Sequence, residues 1–246
     1  MQVLALEVVA KQHCHYTLTF VEGAVATTDV PGRMLELVKQ RRRWINGAFF
    51  SLAYYLLKFP KMVKDTNHSL MRRFGFFIQF FYYNVILVLN WFNVAFLYLS
   101  FQIIFRNALE DITGRDVIML LFNVAYGGAL FLQLLLALLV KVEEVERTYL
   151  FISLVFGVCA FIALTLGVWY IASGGILTVF FIAALAGLGS YFTGALLHRQ
   201  LLTVLSTFFQ YIFTMPTYIN VFTLYSFANL NDISWGTKVR KHAIFA

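Results

Sequence analysis

The sequence predicts an α-helical polytopic membrane bundle preceded by a short N-terminal α/β segment, and three observations carry that expectation. The 246-residue chain is 61% hydrophobic and only 13% charged, with a mean hydropathy of +0.76, whereas a soluble domain carries roughly 25% charged residues. Four stretches hold no Asp, Glu, Lys or Arg, at 74–105, 117–140, 148–197 and 200–231. Each is long enough for at least one helix across a hydrocarbon core that needs about 20 residues. Basic residues gather just ahead of the first stretch, at 39–43 and at Lys58, Lys61, Lys64, Arg72 and Arg73. Lipid leaves unsatisfied backbone no partner, and long unbroken apolar runs do not fit the alternating strands of a barrel, so the spans are helices.

Residues 1–38 have the mixed pattern of a water-exposed segment. LALEVVAKQ suits a helix and YTLTFVEGAVAT a strand, with TTDVP as a turn and Asp29 as the N-cap of the helix that follows. One helix and one strand bury no core alone, so this segment docks on something else or closes a larger domain. Residues 39–73 form an amphipathic, interfacial segment, and 74–231 the transmembrane region. Its expected spans are 74–105, 117–140, 149–171, 175–197 and 201–227. ASGG at 172–175 supplies the turn between the third and fourth. Pro216 stands near the centre of the fifth, where a missing amide and a ring clash kink a helix. Residues 232–246 form a tail.

The basic excess before the first span places 39–73 on the cytosolic side, and Glu110, Asp111 and Asp116 suit an outer position for 106–116. The basic tail TKVRKH then conflicts with five complete crossings. A re-entrant or interfacial fifth stretch resolves the conflict, and so does a tail on the outer side. The net charge of +7 is accounted for by membrane flanks and does not call for nucleic acid.

The stretch KQRRRWINGAFF, residues 39–50, concentrates the chemistry. In a helix beginning near Met34, Gln40, Arg43 and Trp44 project over neighbouring turns of one face, with Arg41 and Arg42 spreading cation density to the side. A guanidinium offers a planar, bidentate grip on phosphate oxygens, and an indole offers a flat face for a sugar ring. Three readings stay open on these residues alone: a positive-inside anchor with an interfacial tryptophan, a lipid-headgroup site, and a site for a phosphorylated, carbohydrate-bearing donor.

Gln40-Arg41-Arg42-Arg43-Trp44 resembles the Q-x-x-R-W signature of the processive family 2 glycosyltransferases. QRRRWINGAFF and NDISWGTK (231–238), with TTDVP, NHSLMRRF, KVEEVERTY and PTYINVFTLYSFANLNDISWGTK, are similar to chitin synthases of fungal and oomycete type. The resemblance implies transfer of N-acetylglucosamine from UDP-N-acetylglucosamine to a growing β-1,4 chain, and extrusion of that chain through a multi-pass protein of the plasma membrane. It implies catalytic roles for Gln40, Arg43 and Trp44, with Trp44 stacked on the acceptor sugar and Arg43 on the diphosphate. Substrate or diphosphate contacts are implied for Arg41, Arg42, Trp235 and Lys238. The implied partners are UDP-N-acetylglucosamine, the nascent chitin chain and membrane lipid, with room for a homodimer and no nucleic acid. The full-length enzyme is expected to use a divalent cation, Mg or Mn.

The family's donor-binding aspartates and general base lie upstream of anything in these residues, since the base-bearing string would end where Met1-Gln2-Val3 stands. Residues 1–38 are therefore expected to be the end of a cytosolic glycosyltransferase domain, and the chain alone to be inactive.

Other polar features point less sharply. Glu143 and Arg147 of KVEEVERTY stand at i, i+4. Gln79, Asn84, Asn90, Asn93 and Gln102 are expensive in lipid and are expected to face the bundle interior or a hydrated path, which suits a carbohydrate channel and equally a transporter. Gly187, Gly189 and Gly194 permit close helix packing. Cys14 and Cys159 form no disulfide framework, and the five histidines show no metal-ligand spacing.

Overall fold

The computed structural model describes residues 2–19, 21, 23–28, 30–173 and 189–232. They are dominated by helices: α1 Gln2–Val9, α2 Met34–Lys64, α3 Leu70–Ala108, α4 Arg115–Phe122, α5 Gly128–Leu139, α6 Glu146–Ala172, α7 Leu201–Pro216 and α8 Thr223–Ala228. Two π-helical segments, Asn123–Gly127 and Thr217–Phe222, join α4 to α5 and α7 to α8. Among the described residues, three helices are long and apolar enough to cross a membrane: Leu70–Ala108, Arg115–Leu139 and Glu146–Ala172. They coincide with the first three expected spans. The fourth, 175–197, lies mostly outside the described residues, of which 189–197 are helical. The fifth is a helical run from Leu201 to Ala228, but Thr, Ser, Gln and Asn side chains dilute it and it is not among the three.

The chain divides into two compact units, Met1–Val88 with Ser226–Ala246, and Leu89–Tyr225. In the first unit, α1 packs on α2. The core joins Ala10, Tyr55, Met62 and Phe76, flanked by Leu6, Val9, Leu56, Phe59, Phe80 and Tyr83. Phe59 stacks on Phe80 with ring centroids 4.2 Å apart, and Tyr55 meets Tyr83 edge-on at 5.0 Å. The Tyr55 hydroxyl donates to the Phe76 carbonyl at 3.0 Å. The α2–α3 turn holds the end of α1 and the chain after it, with a His68 ring nitrogen 2.9 Å from the Val9 carbonyl and the Asn67 amide donating to the His13 carbonyl at 2.8 Å, while Lys58 of α2 pairs with Glu7 of α1 at 3.0 Å.

Two expectations for the N-terminal region fail. No strand occurs among the described residues, and those of the expected strand are exposed coil. An isolated β-prone run has no neighbour to complete its ladder, so the alternation in YTLTFVEGAVAT lacks the pairing that makes a strand. The helix α2 starts at Met34 as expected, but Arg33 occupies the N-cap position with no side-chain cap. Asp29 stands too far upstream to cap it, and itself lies outside the described residues.

In the second unit, α6 packs extensively along α7. Gly157 makes this approach possible, since a Cβ built there would stand 2.6 Å from the Phe213 ring. Among the described residues nothing stands within 4 Å of a Cβ at Gly189 or Gly194, so no close packing expected of them is seen there, and Gly187 lies outside the described residues. Pro216 does not break the fifth stretch. The ladder widens instead into the π-helical turns of Thr217–Phe222, one of the ways a helix absorbs a proline or an inserted residue. Glu143 sits in the turn before α6, which begins at Glu146, so it does not share a helix with Arg147.

The amides of α3 divide. Gln102 and the Tyr98 hydroxyl both donate to Asn123 Oδ1, inside the first π-helical segment. Asn84 bonds back to the Phe80 carbonyl at 2.8 Å, and Gln79 donates to the Tyr83 hydroxyl at 2.8 Å. Asn93 is half-buried, and Asn90 is exposed rather than turned inward.

Candidate functional site

The α2 helix carries the site. Its sequence from Met34 keeps apolar residues at helical spacing through the cationic run, and Val38 is fully buried, which fixes the helix's rotation. At about 100° per residue, Arg42, Asn46 and Phe49 fall within about 60° of one another, while Gln40 and Trp44 fall on the far side of the helix, each about 160° away from Arg42. Arg41 and Arg43 flank them. The QRRRW string is thus split between two faces.

Trp44 stands on the open face and is 58% exposed. The Arg41 guanidinium lies over its ring at 4.8 Å, a cation–π contact worth about 0.5–1 kcal/mol at an exposed position. The contact holds the indole plane, and it brings a cation beside a flat apolar surface. Gln40 and Arg43 are half-buried. The structure therefore presents an amide, guanidinium groups and an indole on adjoining turns, a combination suited to a ligand with a sugar face and an anionic group.

The opposite face is closed by the C-terminal segment. Arg42, 4% exposed, forms an ion pair with Asp232. One turn on, the Asn46 amide, 8% exposed, donates to the Asn229 carbonyl at 3.4 Å. Below it Phe49 meets Phe227 edge-on with ring centroids 5.9 Å apart. A guanidinium removed from water is costly without a counter-charge, and Asp232 supplies one. The three contacts run down one stripe of α2 against Phe227, Asn229 and Asp232. Trp235 and Lys238 lie outside the described residues.

Asp232, Asn46 and Asn229 carry this arrangement, and sequence reasoning gave them no role. Asp232 appeared only as the end of a charge-free stretch and as part of the NDISWGTK string. A signal was present: the 42, 46, 49 spacing marks a single stripe, and an arginine buried on a stripe with an amide and a phenylalanine requires an anionic partner. Among the described residues no group of three or more His, Cys, Asp or Glu could hold a metal ion, so the divalent cation that the resemblance implies has no described ligands here.

Comparison with known proteins agrees with the resemblance. Residues 1–59, which include the QRRRW string, match the family described as a chitin synthase-like glycosyltransferase domain. Chitin synthase 1 of Phytophthora sojae is 31% identical over 249 aligned residues, covering 96% of this chain and 27% of that protein. Chitin synthase 1 of Mycosarcoma maydis is 33% identical, with 96% of this chain and 28% of the relative covered. For chitin synthase 1 of Saccharomyces cerevisiae the identity is 30%, over 96% of this chain and 22% of the relative. The chain thus spans roughly a quarter of the length of these curated relatives.

Proposed function

The chain belongs to the chitin synthase family, and from that premise we propose that it forms the membrane-embedded part of a plasma-membrane enzyme that transfers N-acetylglucosamine from UDP-N-acetylglucosamine to the end of a growing β-1,4 chain and extrudes the product. The observation that carries this reading is the exposed Trp44 with the Arg41 guanidinium over its ring, in a chain similar to chitin synthases along 96% of its length.

The acceptor's terminal sugar lies on the indole of Trp44, which orients its 4-hydroxyl. Arg43 holds the diphosphate. As the glycosidic bond of the donor breaks, negative charge grows on the departing UDP, and a fixed guanidinium lowers the barrier by stabilising charge at the place where it develops. Arg41 adds field from the side. Gln40 hydrogen-bonds at the junction of donor and acceptor, and Trp235 and Lys238 complete the donor side. A cytosolic glycosyltransferase domain of the family type supplies the general base, the donor-binding carboxylates and the divalent cation, Mg or Mn. In the second unit, the amides and hydroxyls of Tyr98, Gln102 and Asn123 supply hydrogen-bonding partners among apolar walls, as a path for a polysaccharide requires.

The test is a chimera in which this chain replaces the corresponding stretch of the Saccharomyces cerevisiae relative. Membranes bearing it are expected to convert radiolabelled UDP-N-acetylglucosamine into chitinase-sensitive polymer. Polymer no greater than from empty membranes, at normal abundance of the chimera, overturns the reading.

A further inference from the structure

We infer that Arg42 and Asp232 form a latch that straps the C-terminal segment onto α2, so that Arg42 acts as a positioning residue rather than as a ligand of the diphosphate. The inference rests on the proposed transferase function only for what the latch serves; the latch itself stands on geometry. Arg42 is almost wholly buried and ion-paired with Asp232. It points about 160° away from Trp44 and Gln40 around the helix. A group so placed cannot reach a ligand lying on the Trp44 face.

Two further contacts of different chemistry extend the same seam: the Asn46 amide to the Asn229 carbonyl, and Phe49 against Phe227. A single ion pair at a helix surface fixes little, because long side chains swivel. An ion pair, an amide-to-backbone bond and a ring contact on successive turns fix both the height and the rotation of the strap along α2. The backbone bond matters most for register, since it grips the chain itself at Asn229.

The consequence concerns both halves of the site. The strap covers one face of α2, while Trp44 on the far side stays exposed. It also fixes the point from which the chain continues toward Trp235 and Lys238, two residues proposed for the donor side. Release of the latch leaves a buried guanidinium without the Asp232 counter-charge. The division of labour within QRRRW is therefore specific: Arg41 and Arg43 serve the ligand face, and Arg42 serves the fold of the site.

The latch is tested first without activity, in the full 246-residue chain in lipid nanodiscs. In a Cys14→Ser, Cys159→Ser background, Asn46→Cys and Asn229→Cys are joined by a short bifunctional methanethiosulfonate, and the linked fraction is read by mass spectrometry. Efficient linking is expected, falling at least about fivefold with Asp232→Arg and returning to within about twofold in the charge-swapped Arg42→Asp, Asp232→Arg chain. Linking unaffected by Asp232→Arg, or not restored by the swap, overturns the latch.

The second arm uses the chimera. Arg42→Gln is expected to lower kcat about tenfold while KM for UDP-N-acetylglucosamine stays within about threefold, because the donor never touches Arg42, and the charge swap is expected to recover most of the loss. A rise in KM that the swap fails to reverse makes Arg42 a donor ligand and overturns the assignment. An inactive chimera with intact, swap-restored cross-linking defeats the transferase reading and leaves the latch standing.

Discussion

Asn220 donates its side-chain amide to the Tyr126 hydroxyl at 2.7 Å, and each residue stands within a π-helical segment. Both are fully buried. The bulges face each other, so two local departures from α-helical winding are matched by one side-chain bond. Close by, the Gln133 amide approaches the Val221 carbonyl at 3.5 Å, as expected where a widened turn releases a carbonyl from the ladder.

Tyr126→Phe removes the acceptor while keeping the ring, and leaves a buried amide without its partner. The expected loss of stability is about 1 kcal/mol, since side-chain bonds inside membrane proteins average ~0.6 and reach ~1.7 kcal/mol, and an orphaned donor adds to that. Reversible unfolding in mixed micelles measures it. A loss below ~0.3 kcal/mol makes the pairing of the two bulges incidental.

Gly157 is the glycine on which the α6–α7 contact depends, with the Phe213 ring 2.6 Å from the place a Cβ would occupy. Gly157→Leu is expected to cost about 1–3 kcal/mol through overpacking, whereas Gly189→Ala, which meets nothing within 4 Å, stays within ~0.5 kcal/mol of wild type. The same unfolding assay reads both. Equal effects at the two positions would falsify the assignment of the close contact to Gly157.

The contrast between these glycines shows where sequence reasoning stops. Charge-free runs located the three long apolar helices to within a few residues, because exclusion of charge from such a helix is a property of the chain alone. The start of α2 at Met34 was readable from its apolar spacing. Gly157 was not readable, since a glycine's neighbours are set by the partner helix and not by its own segment. The π-helical turns were hidden for the same reason: Pro216 announced a disturbance but not the form it takes. The Arg42–Asp232 pair joins positions 190 apart in sequence, and QRRRW gives no sign of which arginine turns inward. The failed strand has the opposite cause, because local alternation was present and no partner strand stands among the described residues.

Burial, with the neighbouring Tyr83 phenol adding to it, pushes Tyr55 up to about 12 from its usual 10.0. A raised pKa means that the folded state keeps the proton longer than the unfolded state. The stabilisation is therefore fully present below about pH 10 and is lost as the pH rises toward about 12. Difference absorbance titration of wild type against Tyr55→Phe is expected to show one phenol ionising in that upper range. The stability of Tyr55→Phe is expected to fall less steeply between those pH values. A Tyr55 that ionises with the exposed tyrosines places it outside the core.

Arg42 and Asp232 must lie on one side of the membrane to pair, so the number of crossings between them is even. Three helices among the described residues are long and apolar enough to cross; with all three crossing, an even count requires one more crossing before Asp232, and the basic tail is then expected on the cytosolic side. A membrane-impermeant thiol reagent applied to intact cells, in the cysteine-free background, is expected to label Asn107→Cys and to miss both Lys61→Cys and Lys238→Cys. Labelling at 61 without labelling at 107 reverses the topology, and labelling at 238 without labelling at 61 breaks the parity.

Arg43→Lys separates a site from an anchor. Lysine keeps the positive charge, and therefore keeps whatever the charge contributes to orientation in the membrane. It gives up the planar fork that grips two phosphate oxygens together. If Arg43 holds the departing diphosphate, polymer synthesis by the chimera is expected to fall at least about tenfold, equivalent to ~1.4 kcal/mol of lost transition-state stabilisation, with membrane abundance near that of the parent. Trp44→Ala is expected to slow chain extension similarly, because an exposed indole holds little of the fold but offers the acceptor its flat face. Trp44→Phe retains part of that face and should fall between. An anchor predicts another order, in which both conservative changes are harmless and the removal of any two cations lowers abundance. Unchanged synthesis by Arg43→Lys at matched protein level returns Arg43 to the status of a membrane anchor, because the charge alone is then enough.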